Sequence, residues 1–347
     1  MRPRSTSTGR RGAPASASSS SSAGGATTPI EALAPPALEE IRAAGRRVRD
    51  FCLRTPLVRL ETDGPSEIFL KLENLQPIGS FKLRGAGNAI ALASPESLAR
   101  GVSTASAGNM AQGVAWNARR LGIPCTVVVP DHAPRAKLDA VERLGGRFIK
   151  VPVDRWWQVL AEHGYPGLEG LFLHPVANPA VVAGNGTIGL EIVEELPDVD
   201  TVLVPWGGGG LSCGIAAAVR ALRPAARVFA CEVSTAAPLS ASLAAGRPVS
   251  VDYVPSFVDG IGARGLLPEM WPMAQELLAG SLVVSLDETA AALRRLASRA
   301  RVVAEGAGAV PVAAALARGD LGRRVVCVVS GGNIDADKLA AILAEAT

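Results

Sequence analysis

Thr201-Val202-Leu203-Val204-Pro205-Trp206-Gly207-Gly208-Gly209-Gly210-Leu211 is the stretch whose reading decides the fold. Thr201–Val204 is an apolar run without polar alternation, the pattern of a strand buried on both faces. Gly210–Leu222 beyond it has the apolar spacing of a helix. Four glycines join the two. With no side chains they let a bound group approach the backbone, and the N–H groups at a helix start attract an anion such as phosphate. A merely flexible turn is the plainer reading, and four glycines between a buried strand and a helix disfavour it. The turn is not a P-loop, which closes on Gly-Lys-Ser/Thr. Nor is it a dinucleotide fingerprint, because the next strand does not end on a suitable ribose partner: Glu232 follows Cys231 inside a Glu-Val-Ser-Thr context.

The same alternation runs along the chain. Ile68–Leu72, Val102–Ala105, Cys125–Val129, Arg147–Val151, Leu171–His174, Val228–Cys231, Leu282–Ser285 and Val325–Val329 read as further buried strands. Between and around them, Ala37–Phe51, Met110–Leu121, Pro134–Leu144, Ile188–Glu195, Glu288–Ala300 and Ala336–Ala346 have helical spacing. Strand–helix alternation predicts an α/β fold with parallel sheets covered on both faces. Such sheets bind ligands at the carboxyl ends of their strands, so strand-to-helix turns carry the chemistry.

Three more turns are unusual. Gly79-Ser80-Phe81-Lys82-Leu83-Arg84-Gly85-Ala86 opens a helix that runs to about Ala93. A helix start disfavours a positive charge, and partial burial acts the same way, so Lys82 is pushed toward the neutral, nucleophilic amine. On its own it would be an ordinary exposed lysine. Ser106-Ala107-Gly108-Asn109 offers small residues and free amides between a strand and a helix, a setting for a carboxylate. Ser330-Gly331-Gly332-Asn333 places a hydroxyl at a strand end, where Asn333 or Asp335 could equally be a helix cap.

Composition excludes several classes. The chain has 347 residues, 48% of them hydrophobic, and no apolar run approaches the roughly 20 residues of a membrane helix. The net charge is +3, but Arg2, Arg4, Arg10 and Arg11 lie in an acid-free Ser/Ala/Gly-rich tail, so the remainder sits near −1. No basic face for nucleic acid is expected. The tail, residues 1–30, reads as disordered; an organelle transit peptide is the minor alternative. Cys52, Cys125, Cys213, Cys231 and Cys327 are scattered and odd in number, without a C-x-x-C pair. That fits buried thiols in a reducing, cytoplasmic compartment. His132, His163 and His174 have no metal-ligand spacing, and no metal site is expected.

Taken together, in this order and spacing, the four turns resemble those of fold-type II pyridoxal-phosphate enzymes, the tryptophan-synthase-β-like fold. Within that group they resemble the serine/threonine dehydratase (threonine ammonia-lyase) branch. The resemblance covers about residues 36–347, and Ala304-Glu305-Gly306-Ala307-Gly308-Ala309 is similar to the family's acidic segment beside the cofactor ring. It implies two three-layer α/β domains with mostly parallel sheets, a large one of residues 31–95 plus 182–347 and a small inserted one of residues 101–178, with the cofactor between them. It implies pyridoxal 5'-phosphate held as a Schiff base by Lys82, which also serves as the base at Cα. By the same resemblance Asn109 bonds the cofactor's 3′-oxygen. Gly207, Gly208, Gly209, Gly210 and Leu211 cradle the phosphate. Ser330 faces the pyridine nitrogen, and Ser106, Ala107 and Gly108 take the substrate carboxylate. The implied reaction is deamination of L-threonine or L-serine to a 2-oxo acid and ammonia by Cα-proton abstraction and β-elimination, in a dimer or tetramer.

The sequence departs from the family in places. Met110 stands where a histidine often follows the asparagine, and Ala107 stands where serine racemases carry a second serine, so little racemisation is expected. Glu232 is similar to the start of a cation site, but its later acidic ligand is replaced near Pro238. That leaves a monovalent cation held by carbonyls as the form such a site would take. A β-replacement synthase fits less well, since those relatives more often read Thr-Ser-Gly-Asn-Thr and Gly-Thr-Gly-Gly-Thr at turns two and three. Other β-hydroxy substrates, 3-hydroxyaspartate and 3-phenylserine, fit the mechanism equally. A catalytically silent cofactor-binding protein is disfavoured by Lys82. The sequence ending at Thr347 leads to the expectation of no C-terminal regulatory domain.

Overall fold

The computed structural model describes residues 32–133 and 135–344; the expected disordered tail, residues 1–30, lies outside them. Among the described residues the strands, in chain order, are β1 (Leu57–Leu60), β2 (Glu67–Leu72), β3 (Val102–Ala105), β4 (Cys125–Pro130), β5 (Arg147–Val151), β6 (Leu171–Phe172), β7 (Thr201–Pro205), β8 (Arg227–Val233), β9 (Gly280–Val284) and β10 (Arg324–Val329). Six form one sheet in the order β1-β2-β10-β7-β8-β9, in which only the β1–β2 pair is antiparallel. The other four form a parallel sheet in the order β5-β4-β3-β6. This is the mixed α/β fold with mostly parallel sheets that the sequence implies.

The strand chemistry explains the layering. Every residue of β7 and all of β10 after Arg324 are buried, so both faces of the first sheet need helical cover. The helix Gly210–Leu222 lies tightly against the helix Pro179–Glu195. A Cβ on Gly214 would stand 2.4 Å from the Val182 carbonyl, and one on Gly186 would stand 2.9 Å from the Gly214 carbonyl. Only glycine lets two helix backbones come so close.

The last strand in sequence, β10, inserts between β2 and β7. The carboxyl ends of three neighbouring strands therefore lie along one edge. They deliver the Gly79–Lys82 segment, Ser330 and Gly207 to the same side of the sheet.

Several elements differ from their sequence reading. The helix read as Ile188–Glu195 begins at Pro179, with Asn178 capping it by accepting from Val181 N–H at 3.1 Å. The helix Gly306–Ala317 gave no periodic signal because it is buried on all sides from Gly306 to Ala315, and it contains Pro311. The strand read to His174 ends at Phe172. The edge strand β1 follows Pro56 and carries Arg59, and it was too short and mixed to stand out.

A buried ionic cluster ties the sheet to the helices behind the site. The Arg84 guanidinium is 1% exposed and meets Glu73 twice, Nε to Oε2 at 2.8 Å and Nη2 to Oε1 at 2.7 Å. It also meets Glu191 twice, at 2.6 and 2.9 Å. Lys71 Nζ donates to the Thr55 carbonyl at 2.6 Å and pairs with Glu191 at 2.8 Å. Burial alone would raise the Glu73 carboxyl, but the Arg84 guanidinium overrides it and holds the group below the ordinary carboxylate range. Removing Arg84 leaves Glu73 buried without its counter-charge. Arg84→Met should lower unfolding free energy by about 3–5 kcal/mol, read as a fall in the urea midpoint. The pH dependence should change sign as well. Wild type loses the Glu73 contribution as pH falls below 4.5, whereas the variant, with Glu73 raised by burial, should weaken as pH rises. An unchanged midpoint would show that the cluster does not hold the helix.

Candidate active site

The Lys82 segment and the Ser330 segment are joined edge to edge. Phe81 N–H donates to the Ser330 carbonyl at 3.0 Å and Gly332 N–H donates to the Gly79 carbonyl at 2.9 Å. Gly79 makes the turn with φ +71°, a conformation that favours glycine. Lys82 is then the first residue of the helix Lys82–Leu92. Its ammonium is half-buried and donates to the Pro175 carbonyl at 2.8 Å. Burial pulls its pKa from 10.5 down to about 8, against the opposing pull of the Glu305 carboxylate. Desolvation therefore dominates.

The glycine turn is built to stay bare. Gly209 has φ +99°, and a Cβ there would stand 2.5 Å from the Trp206 ring. A Cβ on Gly208 would stand 2.6 Å from Val176 Cγ2. At Gly207 a Cβ would make only ordinary contact, at 3.7 Å, with Gly260 and Ile261. The first amides of the helix Gly210–Leu222 have no partner within the helix. Asn185, absent from the sequence reading, donates from Nδ2 to the Gly210 carbonyl at 3.2 Å and fixes the helix start. Its Oδ1 is buried without a hydrogen-bond partner among the described residues.

On the opposite wall, at the end of β3, Ser106 N–H donates to the Val128 carbonyl at 3.2 Å. Gly108 N–H donates to Ser106 Oγ at 3.2 Å. Asn109 Nδ2 donates to Glu305 Oε1 at 2.9 Å, and Asn109 Oδ1 accepts from Asn333 Nδ2 at 2.8 Å. Asn333 Nδ2 also donates to the Ile78 carbonyl at 2.8 Å. This chain of amides ties the second sheet to the Lys82 segment. Glu305 is 5% exposed, and burial pushes its carboxyl up to about 7.

These walls enclose a cavity of about 350 Å³, within the range of small-molecule sites. Lys82, Ser106, Ala107, Gly108, Asn109, Gly207, Gly208, Gly209, Gly210, Leu211 and Ser330 all line it, as does Glu305. Trp156, Lys137 and Asp259 also line it and were not singled out from the sequence. They come one at a time from separate segments, and Lys137 and Asp259 become visible only as an ion pair of 3.0 Å. Glu232 lies elsewhere. Its carboxylate accepts from Leu239 N–H, Ser240 N–H and Ser281 Oγ at 2.9, 2.8 and 2.6 Å, so it caps the helix Pro238–Ala245. Among the described residues, no group of three or more His, Cys, Asp or Glu side chains could hold a metal ion, and no helix is long and apolar enough to cross a membrane.

Comparison with known proteins agrees with this geometry. The chain is 41% identical over 314 residues to an L-threonine ammonia-lyase of Thermotoga maritima, covering 88% of this chain and 78% of that one. Among solved structures, maize serine racemase superposes with a TM-score of 0.82 at 31% identity, over 89% of this chain and 97% of that one. The processed form of threonine deaminase isoform 2 from Solanum lycopersicum gives 0.81 at 31% identity, over 92% and 99%. Residues 48–331 match the family model described as pyridoxal-phosphate dependent enzyme, and the chain belongs to that family.

Proposed function

We propose that this chain is a pyridoxal-phosphate-dependent ammonia-lyase that deaminates L-threonine, or a close β-hydroxy amino acid such as L-serine, with Lys82 as its central group. One observation carries the reading. An amine drawn down to about 8 lies in one cavity with a bare glycine turn, a strand-end hydroxyl and the amide turn at residues 106–109. The 41% identity to an L-threonine ammonia-lyase supports the substrate class.

The cavity fits the cofactor part by part. A phosphate dianion suits unpaired helix-start amides approached across glycine, and Gly207, Gly208, Gly209, Gly210 and Leu211 would hold it. An aldehyde suits an amine whose lowered pKa, about 8, leaves far more of it neutral near physiological pH than an exposed lysine has. Ser330 would bond the pyridine nitrogen without adding charge, and Asn109 Nδ2, which donates to both Glu305 oxygens at 2.9 and 3.2 Å, would also serve the 3′-oxygen. When bound, the cofactor supplies an aldehyde for the substrate amine and a conjugated ring that takes up the electron pair left at Cα.

The protein's part follows from its own groups. Lys82 would hold the cofactor through its amine and, when that amine is free, would be the group placed to take the Cα proton. The carboxylate would be oriented by Ser106, Ala107 and Gly108, displacing the internal bond from Gly108 N–H to Ser106 Oγ. Ala107 presents no hydroxyl, so no proton is returned from that side, which favours elimination over the racemisation named for the maize structure. Ser330 cannot keep the ring nitrogen charged as an acid would. That shortens the life of the electron pair at Cα and favours loss of the β-hydroxyl over transamination.

The division into residues 31–95 plus 182–347 and residues 101–178 belongs to the same proposal. It is supported by β3 to β6 forming a sheet of their own, and closure of the two parts on substrate would exclude water. Four of the five cysteines are buried and all five are free, which supports a reducing, cytoplasmic setting. Assembly into a dimer or tetramer completes the reading.

Three outcomes test it. Lys82→Ala should lower 2-oxobutanoate production from threonine by about 10³-fold or more; a variant that still turns over threonine or serine overturns the central role. The rate at which unliganded protein takes up pyridoxal phosphate should rise with pH and level off above about 8. A plateau only near 10.5 would mean that Lys82 is not desolvated. Ser330→Asp should raise the ratio of transamination to elimination, measured from pyridoxamine phosphate and 2-oxo acid, and an unchanged ratio counts against the role given to the neutral hydroxyl.

A further inference from the structure

The chain crosses from the second sheet to the first through His174-Pro175-Val176-Ala177-Asn178, between β6 and the helix Pro179–Glu195. Proline has no N–H, so the first donors after His174 are the amides of Val176 and Ala177. Both point to one atom. His174 Nδ1 accepts from Val176 N–H at 3.1 Å and from Ala177 N–H at 2.7 Å. A nitrogen that accepts two hydrogen bonds carries no proton, so the ring is neutral with its hydrogen on Nε2. The ring is 3% exposed and stacks on His163 at 4.8 Å. Burial, with His163 and Lys82 opposing a further charge, brings the imidazole pKa down to about 3.

The turn made this way touches both halves of the cavity. The Pro175 carbonyl accepts from Lys82 Nζ at 2.8 Å. The Val176 methyls fill the space under Gly208, where a Cβ would stand 2.6 Å away, and the Val176 carbonyl stands 3.1 Å from a Cβ built on Gly210.

We propose that His174 is a positioning residue for the cofactor site: by gathering the amides of Val176 and Ala177 on Nδ1, it sets the Pro175 carbonyl against Lys82 and Val176 beneath the glycine turn. A histidine that merely filled space would make neither bond, and an apolar residue would replace it. The bonding is that of an Asx-turn, in which a side-chain acceptor on Cγ bonds the amides two and three residues on. Asparagine, whose Oδ1 sits where Nδ1 does, should therefore substitute for it, and leucine should not. This inference rests on the cofactor reading above.

The test compares unliganded wild type, His174→Leu and His174→Asn. Pyridoxal phosphate affinity is read by absorbance titration, and hydrogen–deuterium exchange is read on the peptide spanning residues 174–178. Two buried amides left unpaired should weaken cofactor affinity by about tenfold or more in His174→Leu, whereas His174→Asn stays within about threefold of wild type. Exchange in that peptide should be slow in wild type and His174→Asn and fast in His174→Leu. If His174→Leu does not fold, His174→Gln, with its acceptor one methylene further out, takes its place. Equal affinity in leucine and wild type, an asparagine variant as weak as leucine, or fast exchange in folded wild type each overturns the proposal. Wild type that takes up no cofactor would instead defeat the functional reading, while the exchange measurement still decides the role of His174.

Discussion

The Arg84 guanidinium is the fixed point of this molecule. It lies two residues after Lys82 on the same helix, is buried, and bonds Glu73 just beyond β2 and Glu191 on the helix Pro179–Glu195. A planar, permanently charged group that satisfies two carboxylates at once cannot slide or rotate without breaking several short bonds. The helix that starts at Lys82 is thereby held in register with the sheet edge. The bonds from Phe81 to Ser330 and from Gly332 to Gly79 complete the constraint from the other side. Lys82 is aimed by its surroundings and not by its own flexible stem. That suits the role proposed for it, in which it would hold a cofactor and later act as a base at one carbon.

Charge in the cavity is arranged with the same economy. Lys82 is lowered by burial and Glu305 is raised by burial, so each titrates far closer to neutrality than its free side chain does. Each partly offsets the other, yet desolvation wins for both. Apart from the Lys137–Asp259 ion pair, the contacts around them are neutral: the Asn109 and Asn333 amides, the Ser330 hydroxyl, backbone N–H groups and, behind the site, the unprotonated His174. The only fixed charges lining the described site besides Lys82 and Glu305 are therefore an ion pair that already balances itself. In the proposed reading, the helix-start amides at the glycine turn would supply the attraction for phosphate in place of a lysine or arginine.

Much of this was legible in the sequence, for identifiable reasons. Strands β7 and β10 are buried on both faces and therefore read as unbroken apolar runs. The glycines at 207–210 stand out because no other residue survives at Gly208 or Gly209, where a Cβ would meet Val176 or Trp206. What the sequence hid depends on contacts between distant segments. Asn185, Lys137, Asp259, Trp156 and His174 each look ordinary in isolation, and each acquires a role only through a partner more remote in the chain or through a turn. The helix Gly306–Ala317 escaped because burial on every side erases the amphipathic period that marks a helix. Glu232 shows the opposite case. It is an acidic residue that the resemblance likens to the start of a cation site, and what the sequence did not reveal is that its oxygens cap the helix Pro238–Ala245 and bond Ser281.

Behind the cavity the helix Asn109–Leu121 packs on the helix Lys82–Leu92 in one apolar core that includes Ala86, Ala89, Ile90, Met110, Ala111 and Val114; at the cavity itself the links are polar. From the first sheet's strand ends come Lys82, the glycine turn and Ser330; from the second comes the turn at Ser106–Asn109. Polar contact between them runs through Asn109 to Glu305 and Asn333, through Lys137 to Asp259, and through the crossover at Pro175 to Lys82. Of these, the crossover is covalently continuous and the others are side-chain bonds. An exposed ion pair such as Lys137–Asp259 contributes on the order of 1 kcal/mol or less, so it can open without unfolding anything. The buried Arg84 cluster cannot. The ionic cluster thus fixes the helix of Lys82 from behind, while the polar contacts in front of it are the ones that can open: in the proposed reading the amine would stay fixed as those side chains rearrange around the substrate.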